Sequence, residues 1–351
     1  MALRQFTRAA GLAVLAGGFG AAAQAEGISP SSFAGTLGIG ESITIHKTVT
    51  VATGGATEVE IFFLADNTGS MSSTVNAAKT GATTILNNLP NTYKYGVGHY
   101  YGDLSEGCGA SYSCGYHQLT AFTSTKANVQ AGINAWNATG GGDTPEANFY
   151  ALKQVADTAG WNPAAQHLVV WFGDAAGHTN TTTFAQAVSA LQGIGAKVIA
   201  FNNTSAGFGI DGNNDGEANQ ASRIIAQTGG NLTNNFNASS DFVSKVTSEI
   251  VAGTSFVDLS FGTTFLGDGL SISFTCTDAL GCNHVGGGES RSFDVTITGL
   301  KYGTYDFNVF ASGVGPQERD LITVVPEPET YALMLAGLGI LGAVQRRRNR
   351  A

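Results

Sequence analysis

Apolar positions recur with two different periods along this chain. Between residues 57 and 253 short, near-continuous apolar runs alternate with stretches of helical spacing. Val59 to Ala65, Tyr93 to Tyr101, His117 to Phe122, His167 to Phe172 and Lys197 to Phe201 read as strands. Val75, Ala78, Ile85 and Leu89 predict a first helix, Val129, Ile133 and Trp136 a second, and Ala147 to Ala156 a third. Phe184, Val188 and Leu191 predict a fourth. Ile224 and Ile225 lie on a helix starting near Glu217 and closed by Gly229-Gly230, and Phe242, Val246 and Ile250 lie on the last. Near-continuous apolar runs suit strands covered on both faces, so the expected fold class is α/β, a doubly wound, mostly parallel sheet.

The flanks follow period two. Ser42 to Val51, Leu270 to Phe274, Ser292 to Ile297 and Tyr305 to Phe310 alternate and are separated by Gly-rich turns. That is the pattern of half-exposed antiparallel strands. Residues 26–56 are too few to bury a core alone. We therefore expect residues 26–56 and 254–325 to build one small β-sandwich, into which residues 57–253 are inserted.

Both termini read as targeting segments. Arg4 and Arg8, the apolar run Gly11 to Ala16, and Ala23-Gln24-Ala25 follow the order of a secretory signal peptide, residues 1–25. At the other end Val325-Pro326-Glu327-Pro328 precedes the apolar run Tyr331 to Val344, then Arg346, Arg347, Arg348 and Arg350. The run is shorter than the roughly 20 residues of a stable transmembrane helix. The basic cluster would hold its end in the cytoplasm.

Composition narrows the partners. A net charge of −9, with charged residues at only 12%, excludes a basic nucleic-acid face. The four cysteines allow three pairings, of which local bridging, Cys108–Cys114 and Cys276–Cys282, is the simplest in an oxidising compartment. No His or Cys cluster has zinc spacing.

Candidate chemistry lies where the apolar strands end. Asp66-Asn67-Thr68-Gly69-Ser70 follows the first strand of the α/β region and offers a carboxylate and two hydroxyls. A second strand ends in Gly173-Asp174, and Gly142-Asp143-Thr144-Pro145-Glu146 lies between them. These are hard oxygen donors, suited to Mg²⁺ or Ca²⁺ rather than zinc. Ligands of open α/β sheets bind beyond the carboxyl ends of the strands. A further run, Asp211, Asn213 and Asp215 with Gly216, looks like the start of a calcium loop, with Ser222 where a bidentate acid is expected. The same run also suits an Asn/Gly-rich turn capping a helix.

Together the three segments resemble the metal-ion-dependent adhesion site of von Willebrand factor A domains, and among these the I-like domain of integrin β subunits. The resemblance covers roughly residues 57–253. It implies that Asp66, Thr68 and Ser70 stand at the D-x-S-x-S positions, Thr68 replacing the first Ser. It also puts Glu146, in Thr144-Pro145-Glu146, and Asp174, in Gly-Asp-Ala, at the same Mg²⁺ or Mn²⁺ ion. A neighbouring Ca²⁺ site would use Asp103, Asp143, Glu146 and the Pro145 carbonyl, Asp103 being one residue out of register. A third site is not implied, because Ser73 and Thr74 stand where the family has acids. The loop bracketed by Cys108 and Cys114 matches a disulfide loop of the family. The integrin hybrid domain, which hosts the I-like domain as an insert, gives the same architecture as the flanking strands. The carboxyl terminus resembles the PEP-CTERM sorting signal of Gram-negative bacteria, recognised by exosortase.

The resemblances imply an exported surface or matrix adhesion protein, transiently anchored in the inner membrane, that captures a protein or polysaccharide carboxylate through its metal. They do not point to an enzyme. A structural matrix protein whose metal only stabilises the fold is the alternative, and a metal-dependent hydrolase a more distant one. For hydrolysis, His99 and His178 are the His near the carboxyl ends of the motif strands, and neither lies beside a convincing Ser or Cys nucleophile.

Overall fold

The computed structural model describes residues 27–102, 115–139, 144–204, 209–214, 216–234, 242–314, 318–326 and 328–348. The chain opens with β1 (Gly27–Ser29), β2 (Ser32–Gly38) and β3 (Ser42–Thr50). It then alternates through β4 (Val59–Asp66), α1 (Ser72–Asn88), β5 (Lys94–Tyr100), β6 (His117–Thr123), α2 (Lys126–Asn134), α3 (Asn148–Thr158) and β7 (Gln166–Gly173). The alternation continues with α4 (Phe184–Gly193), β8 (Lys197–Asn202), α5 (Gln220–Thr228), β9 (Asn231–Thr233) and α6 (Phe242–Thr254). Short strands follow: β10 (Phe256–Val257), β11 (Phe261–Thr263), β12 (Leu270–Cys276) and β13 (Val285–Gly286). Three longer ones, β14 (Ser290–Gly299), β15 (Gly303–Ala311) and β16 (Glu318–Val325), lead to α7 (Pro328–Arg348).

The α/β region holds a six-stranded sheet in the order β6-β5-β4-β7-β8-β9. All neighbours are parallel except β6, which runs antiparallel to β5 at the edge. Every residue of β4, β7 and β8 is buried, which explains the apolar runs Ile61 to Ala65, Leu168 to Phe172 and Val198 to Phe201 at their centres. Successive β4 side chains enter two different cores. Ile61 and Phe63 pack with Val75 and Ile85 of α1, Ile133 of α2 and Val246 of α6. Phe62 and Leu64 pack with Phe149 and Leu152 of α3, Leu191 of α4 and Ile224 of α5. Each such large apolar side chain contributes roughly 1.5–3 kcal/mol by leaving water. The helices begin and end on local signals. Thr183 and Gln186 form a reciprocal capping box at the start of α4. Gly229, at φ +75°, closes α5 in the left-handed region that favours glycine. The sequence places the start of α5 near Glu217; it begins at Gln220.

The flanking strands form two four-stranded sheets, β1-β3-β14-β12 and β11-β15-β16-β2. β3 pairs with β14 antiparallel from Ser42↔Thr298 to Thr50↔Ser290. A strand preceding the α/β region is thus hydrogen-bonded along its whole length to one that follows it. The inward positions Ile45, Val49, Val295, Ile297, Phe307, Val309, Ile322 and Val324 share one core. One expectation is corrected. The flanking strands are not all antiparallel, because β2 runs parallel to β16, from Ser32↔Arg319 to Gly38↔Val325. The first and last long strands of the two flanks meet there without a hairpin to reverse them. β10 and β13 make a separate two-stranded pair.

Cys276 and Cys282 are disulfide-bonded, as local pairing predicts. Cys108 and Cys114 lie outside the described residues. α7 carries the apolar carboxyl-terminal run and ends among the arginines. Among the described residues no helix is long and apolar enough to cross a membrane. The apolar run from 331 to 344 covers only part of α7, between polar flanks.

Candidate metal centre

The sheet order reverses between β4 and β7. From β4 the connection through α1 leads to β5 on one side, whereas β7, β8 and β9 extend on the other. The crevice beyond the carboxyl ends of β4 and β7 is therefore a topological switch point, where side chains from both loops converge. Asp66 is the last residue of β4, and Asp174 follows the last residue of β7.

After Asp66 the chain is held tightly. The Asn67 amide donates to the Tyr100 carbonyl at 2.9 Å, and Asn67 Nδ2 donates to the Tyr101 hydroxyl at 2.7 Å. The Thr68 amide turns back to Asp66 Oδ1 at 2.9 Å, and the Thr68 and Ser70 hydroxyls lie 3.2 Å apart. A 3₁₀ turn, Gly69–Met71, then feeds α1. On the other side, Gly173 lies so close to the Tyr100 hydroxyl and Ile210 that a Cβ would come within 2.5 Å and 2.6 Å of them. The Asn203 amide donates to the Gly173 carbonyl, and Asn203 Nδ2 reaches the Thr74 hydroxyl at 3.2 Å. Asn203 thereby ties β8 to α1 beneath the crevice. Sequence reasoning missed it, and its one signal is a polar pair, Asn202-Asn203, at the end of a buried strand.

Asp66 and Asp174 are in side-chain hydrogen-bond contact, and Ser70 donates to Asp174. Asp66, Thr68, Glu146 and Asp174 are all buried, whereas Ser70 is exposed. The donors therefore sit recessed, with their opening to solvent beside Ser70. Burial, and then the charge of Asp174, push the Asp66 carboxyl up to about 7 against the opposing hydrogen bonds from Thr68. Burial also raises Asp174, opposed by hydrogen bonds with Ser70 and Asp66. Asp66 Oδ2 and Asp174 Oδ2 are buried without a hydrogen-bond partner. Two adjacent buried carboxylates with orphaned oxygens, flanked by two hydroxyls, are a donor set that fits a small hard cation.

Glu146 reaches the same crevice from the segment before α3. Its amide donates to the Ala176 carbonyl at 2.9 Å, its carbonyl accepts from the His178 amide at 2.8 Å, and the Ala147 amide donates to the Tyr101 carbonyl at 3.0 Å. Asp66, Glu146 and Asp174 all act on the Tyr100 hydroxyl, raising its pKa well above the ordinary value after burial has done so. Yet among the described residues no three His, Cys, Asp or Glu side chains gather tightly enough to make a metal-binding group on their own. The structure brings Asp66, Thr68, Ser70 and Asp174 together, with Glu146 near enough to act on the same Tyr100 hydroxyl. Of the neighbouring site, Pro145 and Glu146 are described, but Asp103 and Asp143 lie outside the described residues.

The 211–216 run is engaged differently. Both Asp211 oxygens accept from Ser222, one from its amide at 2.7 Å and one from its hydroxyl at 2.6 Å. Asp211 thus satisfies a donor in the first turn of α5, whose own N-cap Asn219 makes no side-chain cap bond. Asn213 is exposed, and Asp215 lies outside the described residues.

The PEP-CTERM protein-sorting motif matches residues 324–348. The chain therefore carries an export and carboxyl-terminal anchoring signal, which implies processing by exosortase. No curated protein sequence matches. Among solved structures the fold is similar to von Willebrand factor type A from Catenulispora acidiphila, at 15% identity and TM-score 0.45, covering 82% of this chain and 71% of that one. Others are the pilus adhesin SpaC from Lactobacillus rhamnosus GG in its open conformation (11%, TM-score 0.38, covering 81% and 45%) and proximal thread matrix protein 1 from the mussel byssus (17%, TM-score 0.41, covering 59% and 50%). The chain spans about half the length of these last two. Likenesses this distant carry no argument about the site, whose reading rests on strand order and side-chain geometry.

Proposed function

We propose that the crevice at the ends of β4 and β7 holds a divalent cation, Mg²⁺ or Mn²⁺, and that the exported protein uses it at the cell surface or in the extracellular matrix to capture a ligand carboxylate. The observation that carries this reading is the pair Asp66–Asp174. Two buried carboxyls in contact, each with an orphaned oxygen, gain their counter-charge only from a cation. Asp66, Thr68, Ser70 and Asp174 would hold the ion, with Glu146 reaching it directly or through water. The ion would supply an electrophilic position for an acidic group of a protein or polysaccharide partner, a contact that neutral hydroxyl ligands leave strong. Ser70, the exposed member of the set, marks where that partner enters. A Ca²⁺ ion beside it, using Asp103, Asp143, Pro145 and Glu146, belongs to the same proposal.

This is a binding function rather than a catalytic one. His99 is buried against Asn67 and touches the exposed ring of His117, and burial followed by the His117 charge lowers its pKa to about 4. It is a poor proton acceptor at neutral pH, and it faces Asn67 rather than a nucleophile.

The test is retention of the folded protein on matrix from the producing organism, in Mg²⁺ and in EDTA. Capture in Mg²⁺ that EDTA abolishes, with the near-ultraviolet dichroism of the fold intact, is the expected result. Equal capture in both would exclude metal-bridged adhesion. Loss of the fold in EDTA with no capture in Mg²⁺ would favour the structural role instead.

A further inference from the structure

The β-sandwich encloses a second cluster of ionisable groups, remote in sequence from the crevice. Lys47 lies on β3 in phase with the inward residues Ile45 and Val49. Glu318 and Asp320 lie on β16 in phase with Ile322 and Val324. The three side chains are fully buried, with 0% exposure. Lys47 Nζ contacts Glu318 Oε1 and stands 3.7 Å from Asp320 Oδ1. β3 belongs to one sheet and β16 to the other, so the contact spans the sandwich.

The surroundings are dry and apolar. Lys47 is paired across β14 with Phe293, which stacks on Phe261 at 4.0 Å between centroids. Glu318 is paired with Val309, and Asp320 with Phe307 on one side and Phe33 on the other. Glu318 Oε2 and both Asp320 carboxylate oxygens have no hydrogen-bond partner. An ion pair retained only for stability would be expected to satisfy those oxygens, because desolvating them costs more than the attraction returns. Burial, and then Asp320, push the Glu318 carboxyl up to about 8, which favours transfer of a proton onto it.

An amine held against an uncharged carboxyl, with a second carboxylate beside both and water excluded, is the arrangement that amide formation requires. We propose that Lys47 and Glu318 condense in the folded protein into an intramolecular amide that joins the two sheets, with Asp320 carrying the proton. Moving one proton from the ammonium to the Glu318 carboxylate gives the neutral amine and acid, which removes two charges from an apolar core. The Nζ lone pair attacks Glu318 Cδ, forming the N–C bond and a tetrahedral intermediate. Asp320 takes a proton from the nitrogen and passes it to the departing hydroxyl. The C–O bond breaks, one water leaves, and Asp320 ends as it began. Nothing is oxidised or reduced. Fixed proximity replaces the activation that the same condensation needs in water.

The amide would close a loop across 271 positions in sequence. It would lock β3, the strand that precedes the α/β region, to β16, the last strand of the sandwich, just before the sorting segment that begins at residue 324. Tension applied through that segment would then pass from β16 into β3 without separating the sheets.

The experiment is mass analysis of the purified full chain, denatured and with its disulfides reduced, beside Lys47→Arg and Asp320→Ala. The wild type should be lighter than its sequence by one water. Trypsin should yield a branched peptide in which the segment running uncut through Lys47 to Lys79 is joined at Glu318 to the segment 302–319. Lys47→Arg and Asp320→Ala should show the full mass and no branch. A wild type of full sequence mass whose chain is cut after Lys47 overturns the proposal, and this result needs no variant to fold. A branch from Lys47 to Asp320 overturns the assignment of Glu318 as acceptor. An Asp320→Ala protein bonded as completely as the wild type overturns the role of Asp320.

Discussion

Among the described residues, two pairs of buried carboxyls lie in surroundings that differ in one respect that decides what each can do. Asp66 and Asp174 meet at the end of a parallel sheet, beside the exposed Ser70, with hydroxyls around them and, among the described residues, no basic side chain bonded to them. Glu318 and Asp320 meet inside a sandwich, between apolar layers, against the buried ammonium of Lys47. The first pair can take its positive charge only from solution. The second has it built in and is sealed from solution. The same desolvation that prepares the crevice to bind a cation prepares the sandwich cluster for an internal reaction, and solvent access separates the two outcomes.

The largest effect should come from removing the built-in cation. Lys47→Met leaves two acids buried without a counter-charge, which costs about 3–5 kcal/mol for such a pair. Urea denaturation should show the loss. A variant as stable as the wild type would mean that the two clusters do not differ in the way described.

The next effect belongs to the crevice and is conditional on metal. In metal-free protein the folded-state Asp66 pKa, about 7, lies above the ordinary 3.8. Between these values the folded state binds more protons, so its contribution to stability is full below the lower value and is lost as pH rises through the upper one. Mg²⁺ should oppose that slope, because the ion favours the charged carboxylates. At a hundred times its dissociation constant it should also add about 2.7 kcal/mol near neutral pH. Melting temperatures measured across this window with and without Mg²⁺ should diverge as pH rises; parallel curves would break the comparison.

A smaller effect separates the crevice from the 211–216 run, which also looks like a metal loop. Because Asp211 is spent on Ser222, Asp211→Ala should act as the loss of a helix cap, about 1 kcal/mol, with or without Ca²⁺. A destabilisation seen only in Ca²⁺ would restore the metal reading.

The crevice was legible in sequence because its residues interrupt a strong pattern. Asp66 and Asp174 follow the apolar stretches Ile61 to Ala65 and Leu168 to Phe172, and a polar residue there has only the sheet's end to occupy. Glu146 carries no such signal, because spacing along a loop does not tell how its backbone is strapped to Ala176 and His178. The sandwich cluster was written in the same alternation that revealed β3, yet it was passed over. Lys47 falls on the inward parity of Ile43, Ile45, Val49 and Val51, and Glu318 and Asp320 on that of Ile322 and Val324. A single charge on an inward position reads as an error of phase until a partner of opposite charge is found on another inward strand, 271 positions away. The parallel pairing of β2 with β16 was hidden for the same reason, since no hairpin links strands so distant.

The central claim is that Asp66 and Asp174 together bind a divalent cation. Isothermal titration of Mg²⁺ or Mn²⁺ into the folded, metal-stripped protein tests it most directly, with Asp174→Ala and Ser72→Ala in parallel. Ser72 lies just beyond the ligand motif, at the start of α1. Saturable binding by the wild type and by Ser72→Ala, absent from a folded Asp174→Ala, is the predicted result. No heat of binding in the folded wild type, or equal binding by Asp174→Ala, would contradict the account.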